Sequence, residues 1–195
     1  MRKAWIISAS CLLTLVLMAP TTSARTQHTE EAQRRVLLQL LNAHEFKVNR
    51  KAFDRIGPEV NRLLVNISGD PRQRPTVRVR ATAALSVFPS ERTRRYLNGV
   101  LFDPDLMKNQ FGLLQRREAM MSLGAAFKED AVQSLAGFHD DKDPQIREGC
   151  ARALGISGSK RALTTLNSWL PNEPEIFVRQ AIDEAIEKLG EGTRR

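Results

Sequence analysis

The chain is poor in the residues that build reactive or cross-linked sites. Its 195 residues include two cysteines and three histidines. That is too few for a zinc-finger framework, and His28, His44 and His139 sit on unrelated segments with no i, i+4 pair. Aromatics are scarce, at 6% of the chain, and there are 11 glycines. This composition argues against a β-sandwich and against a Gly-rich nucleotide-binding fold. No Gly-x-Ser-x-Gly elbow occurs. Asp140, Asp141 and Asp143 crowd one link, but the glycine and the closing acid of an EF-hand loop are missing. Catalytic residues, metal ligands and cofactor-binding residues are therefore assigned to none of the positions.

What is present is an apolar-rich, basic chain: 42% hydrophobic residues and a formal net charge of +8. Its N-terminus has the layout of a cleavable signal peptide over residues 1–24. Arg2 and Lys3 precede an apolar run from Ala4 to Ala19, Pro20 ends it, and Thr22-Ser23-Ala24 offers small residues for a cut after Ala24. The run is shorter than the roughly 20 residues of a spanning helix. It also continues past Cys11, which argues against lipidation there. The expected location is periplasmic or secreted, with no stable membrane span after cleavage. Cleavage removes two basic residues and Cys11, leaving Cys150 alone and without an internal disulfide. Asn66-Ile67-Ser68 has the form of a glycosylation sequon, which matters only in a eukaryotic secretory route.

Beyond residue 57 one arginine recurs. Arg78, Arg116, Arg147 and Arg179 are each preceded by Val, Gln or Ile. Each is followed at three residues by Ala, Cys or Ile, at six by Ala or Ser, and at seven by Leu or Ile. Those offsets lie on one face of a 3.6-residue helix. The arginines are spaced 38, 31 and 32 residues apart, a period that signals a solenoid. Amphipathic segments alternate with them at Pro58–Ile67, Ser90–Phe102, Glu129–Phe138 and Ser159–Leu170. These segments open on Pro, Ser or acidic residues, as helix starts do, and end in links rich in Asp, Asn and Pro. An additional helix is expected near Thr29–Ala43, with Val36, Leu37, Leu40 and Leu41 on one face, then a short helix and a turn ending at Gly57.

The run from Asp143 to Gly155, followed by Ala162-Leu163, Leu166 and Leu170, resembles a HEAT-like repeat of the short subtype associated with phycobilisome lyases. The resemblance spans about residues 57–190. It is looser in the first two repeats, where Gln115 fills an apolar slot and seven extra residues fall near Leu106–Gly112. It implies an all-α fold: an α-solenoid of about four HEAT-like helical hairpins in an exported bacterial protein, with an N-terminal helical cap over residues 25–56, repeats over 57–190 and a tail at 191–195. It also assigns Arg78, Arg116, Arg147 and Arg179 to a structural ladder, capping link carbonyls or pairing with acids such as Asp70, Asp103, Asp140 and Asp143. Gly124, Gly155 and Gly190 are expected where the ladder helices end, in tight turns or where backbones approach closely.

Positions one, two and five after each ladder arginine are expected on the concave side. Arg80, Arg117, Met121, Glu148, Arg152, Gln180 and Glu184 are the candidate partner-binding residues. Leu106, Met107 and Phe111 in the extra segment are a second candidate surface. Charge is uneven: residues 25–100 hold 15 basic and 7 acidic residues, residues 101–195 hold 13 and 15. The function expected is an exported, non-catalytic protein-interaction or scaffold module with an unknown protein partner. Two alternatives stand beside it: a bilin-lyase-like enzyme or chaperone, and a binder of anionic polymers through Arg72, Arg74, Arg78, Arg80, Arg92, Arg94 and Arg95. Export and the scarcity of interleaved aromatics argue against nucleic acid. The oligomeric state is left open.

Overall fold

The computed structural model describes the backbone of residues 22–193 and the side chains of residues 29–191. The charged start and apolar run of the expected signal peptide lie outside the described residues. The first described helix, α1, spans Thr22–Asn42, so the expected cut after Ala24 falls in its first turn.

Every regular element among the described residues is helical. After α1 and the short α2 (Arg50–Asp54), the chain forms four hairpins: α3 (Val60–Gly69) with α4 (Pro75–Ala84), α5 (Glu91–Phe102) with α6 (Gln110–Phe127), α7 (Val132–Ala136) with α8 (Pro144–Ser157), and α9 (Lys160–Trp169) with α10 (Ile176–Thr193). The second helix of each pair carries a ladder arginine. These four helices pack on one another in succession and make the main contacts between hairpins. The first helices form a flanking row. The chain is an all-α solenoid.

The helix boundaries follow from capping chemistry. Ser90 and Ser159 accept hydrogen bonds from the amides of Thr93 and Arg161, and Asn109 and Asp143 do the same for Gly112 and Gln145. Pro75 and Pro144 occupy the first helical position, where a missing N–H costs nothing. The third flanking helix is the exception. Its acidic start, Glu129-Asp130, lies in a 3₁₀ turn over Lys128–Ala131, entered through Lys128 at a positive φ of 49°, and only five residues continue as α7.

The core runs the length of the stack. Leu37, Leu41, Phe53, Leu63, Leu85, Leu101, Met120, Leu154 and Leu166 have at most 1% of their surface exposed. Val36 does not join it: it points outward, because α1 is the end of the stack and has a neighbour on one side only. The glycines also differ from expectation. Gly124 and Gly155 lie inside α6 and α8, not beyond their ends. A Cβ on Gly124 would collide with the Ala153 carbonyl, and one on Gly155 would sit 2.7 Å from the Ala185 Cβ. Close approach of neighbouring ladder helices is what both positions serve. Gly190 has open space around it.

Candidate functional site

The four ladder arginines share one role. Each donates to a carbonyl at the end of the preceding flanking helix or in the link that follows it. Arg78 Nε reaches the Ser68 carbonyl at 3.0 Å, Arg116 Nε that of Leu101 at 3.1 Å, Arg147 Nη1 that of Asp141 at 2.9 Å, and Arg179 Nη1 that of Glu173 at 3.0 Å. A guanidinium suits this place, since the last carbonyls of a helix lack partners and carry partial negative charge.

The acids that complete the ladder are not the expected ones. Asp70 binds Arg34 and Arg72, Asp103 caps its own turn at the Asp105 amide, Asp140 meets His139, and Asp143 caps α8. The partners are Asp141 and Glu173. Arg116 reaches the Asp141 carboxylate at 3.5 Å, and Arg147 holds Glu173 with two nitrogens at 2.9 and 2.7 Å. Each of these acids accepts from one arginine through its side chain and from the next through its main chain. Arg78 has no such acid; its guanidinium lies 4.6 Å from the centre of the Phe111 ring.

Glu173 is buried with its side chain 1% exposed. Burial pushes its carboxyl up, but hydrogen bonds from Arg147, the Glu175 amide and Trp169 outweigh that and hold it below the ordinary value. Sequence reasoning missed it because its partner lies 26 residues away in the preceding hairpin.

Five of the seven candidate partner-binding residues bond into a connected row, Met121 lies beside it, and one stands apart. Arg117 pairs with Glu148, Glu148 with Arg152, and Arg152 with Glu184 at 3.0 Å; Gln180 donates to Glu184 at 3.1 Å. The row crosses α6, α8 and α10. The hydrogen bond that Arg152 donates to Glu148 raises the pKa of Arg152 and keeps it charged. Met121 is half-buried beside this row and lines a cleft of about 310 Å³ with Ile156, Ala181 and Ala185. Arg80 is the exception. It turns back onto the end of α1, donating to the Leu41 and Ala43 carbonyls at 2.9 Å and lying over Phe46. Those C-terminal carbonyls would otherwise stay unpaired.

The basic first half is largely occupied. Arg72, Arg94 and Arg95 pair with acids, Arg74 donates to Asn42, and Arg78 and Arg80 hold carbonyls; Arg92 makes no such bond. In the extra segment Leu106 packs on the core, Phe111 supports Arg78, and Met107 is exposed.

A larger cleft, about 1070 Å³, opens between α7 and α9 on the flanking side, a feature with no sequence signal. Among its walls, Thr164, Thr165 and Ser168 bond to carbonyls of their own helix, and His139 lies between the Ala136 carbonyl at 2.8 Å and Asp140 at 3.1 Å. Cys150 is buried, donates to the Leu135 carbonyl, and has its thiol pKa pushed far up by burial. Among the described residues no group of three or more His, Cys, Asp or Glu is placed to hold a metal ion, and no helix is long and apolar enough to cross a membrane.

Residues 114–187, from α6 to α10, match the family described as HEAT repeats. No curated protein matches the chain. Among solved structures, it is similar to an engineered protein at 17% identity and TM-score 0.48, covering 87% of this chain and 84% of that one. It is also similar to human deoxyhypusine hydroxylase in complex with glycerol at 16% identity and TM-score 0.29, covering 87% and 99%.

Proposed function

We propose that this HEAT-like repeat protein is an exported, non-catalytic scaffold that holds a protein partner on the exposed face of its ladder helices. The observation that carries the reading is the unbroken row from Arg117 through Glu148 and Arg152 to Glu184, set beside the cleft at Met121. It spans three hairpins, so it offers a rigid, extended surface of alternating charge, as repeat stacks do when they bind along their length. A non-catalytic role is supported by how the polar groups are used: the ladder arginines and their acids hold the stack, and the thiol is buried in its neutral form. Export rests on the N-terminal layout.

Photocrosslinking in intact cells tests this reading. A photoreactive residue replacing Met121 should capture a protein, and one replacing Thr165 on the flanking row should not. Capture from Thr165 alone would move the site to the other row. A small molecule turned over by the purified protein would end the non-catalytic reading. An intact mass beginning at Met1 in cells, where one beginning at Arg25 is expected, would end export by cleavage.

A further inference from the structure

One joint of the stack is made without an ion pair. Elsewhere ion pairs tie neighbouring units: Arg62 to Glu30 between the first hairpin and α1, Arg116 to Asp141 between the second and third hairpins, and Arg147 to Glu173 between the third and fourth. Between the first and second hairpins the described residues form none.

At the centre of that joint lies a buried chain of neutral hydrogen bonds. Ser68 at the end of α3, Thr82 on α4 and Gln115 on α6 are at most 1% exposed. The Gln115 amide nitrogen donates to the Ser68 carbonyl at 3.1 Å and to its hydroxyl at 3.3 Å, and Tyr96 of α5 donates to the same hydroxyl at 2.7 Å. The Thr82 hydroxyl is directed at the Arg78 carbonyl at 3.0 Å, so the Ser68 hydroxyl donates to Thr82, 2.6 Å away. All four helices of the two hairpins therefore meet at Ser68.

Gln115 stands where the other ladder helices bury Val77, Ile146 and Val178. Its oxygen is buried and accepts no hydrogen bond among the described residues, a cost that an aliphatic side chain would avoid. Stability alone does not account for a glutamine here. Register does. The ladder helices repeat one pattern of small and aliphatic residues, which discriminates poorly between dockings one turn apart. Two other polar residues cross the joint: Asn61 donates to Thr93 at 2.9 Å and Ser122 to the Thr82 carbonyl at 3.0 Å. Displaced by a turn, half-buried Asn61 meets water, and a serine hydroxyl turns to a carbonyl of its own helix. The buried Gln115 amide would be left with its donors unpaired as well as its oxygen.

We propose that the contact of Gln115 with Ser68 is a key: it fixes the register in which the first hairpin docks on the second, the task that ion pairs perform at the other joints.

Gln115→Met tests this. It keeps the size of the side chain and strands no partner, because the Ser68 carbonyl keeps Arg78 at 3.0 Å and its hydroxyl keeps Tyr96 and Thr82. Urea unfolding should show a midpoint equal to the parent's or higher. In amide ¹H–¹⁵N correlation spectra the parent should give one cross-peak per backbone amide. The variant should give a second set along α3, α4 and α6, at roughly a tenth of the intensity or more, while α8 and α10 stay single. Gln115→Leu, closer to what fills the slot elsewhere, is the second variant. A second set in either variant at an undiminished midpoint sustains the proposal. Single sets in both would show that packing alone fixes the register and overturn it, as would a doubled parent spectrum. Doubling that extends through α8 and α10 would show a loosened core and overturn it too. A lowered midpoint in both variants, or failure of both to fold, would make the contact one of stability and end the proposal.

Discussion

Arg147 and Glu173 lock adjacent hairpins together: two guanidinium nitrogens of α8 meet the two carboxylate oxygens of the link before α10, at 2.9 and 2.7 Å. The same carboxylate accepts from the Trp169 indole at 3.1 Å. It is a planar, two-point contact that a lysine cannot reproduce.

Removing the guanidinium strands a buried acid. Arg147→Ala should cost about 3–5 kcal/mol, read as a lowered urea midpoint with an unchanged slope. Arg147→Lys should fall between that variant and the parent. Equal stability of all three would remove the ladder's structural role.

The same carboxylate sets an acid limit on stability. Its folded pKa lies below the ordinary value, whereas unfolding restores about 4.3. The unfolded state therefore binds more protons in that range. The stabilisation is fully present above the ordinary carboxylate value and is lost as pH falls through the folded one. Denaturation series from pH 7 down to pH 3 should show a steeper acid decline for the parent than for Glu173→Gln.

Two glycines should be intolerant of a methyl group and one indifferent. Gly124→Ala and Gly155→Ala push a Cβ into the neighbouring ladder helix and should destabilise by about 1–3 kcal/mol. Gly190→Ala meets open space within α10 and should be neutral or stabilising by up to about 1 kcal/mol. Thermal unfolding of the three variants separates these outcomes.

Cys150 should be silent towards a thiol reagent until the chain unfolds. Its sulfur is buried and donates to the Leu135 carbonyl, and a neutral buried thiol is a poor nucleophile. Labelling by iodoacetamide in native buffer, at the rate seen in denaturant, would contradict the packing.

The architecture was legible because its signal is local and repeated. The ladder arginines, the small residues after them and the Ser and Asp caps all follow from spacing within one helix or its first turn. What stayed hidden depends on stacking. Glu173 looks like any surface acid until α8 packs over its link. Gly124 reads as a helix end because glycine is costly inside a helix, yet the approach of Ala153 makes it necessary there. Val36 sits in an apolar stripe with Leu37 and Leu41, and only its place at the outer edge of the stack leaves it exposed.

The forward pairing of Asp141 with Arg116 and of Glu173 with Arg147 gives the stack a direction of unravelling. The guanidiniums of Arg116 and Arg147 are each neutralised by the link that leads into the ladder helix of the next hairpin. Loss of α9 and α10 therefore strands the charge of Arg147, while loss of α1 strands no ladder arginine. Peeling from the C-terminal end should propagate from one hairpin to the one before it, and fraying at the opposite end should stay confined there.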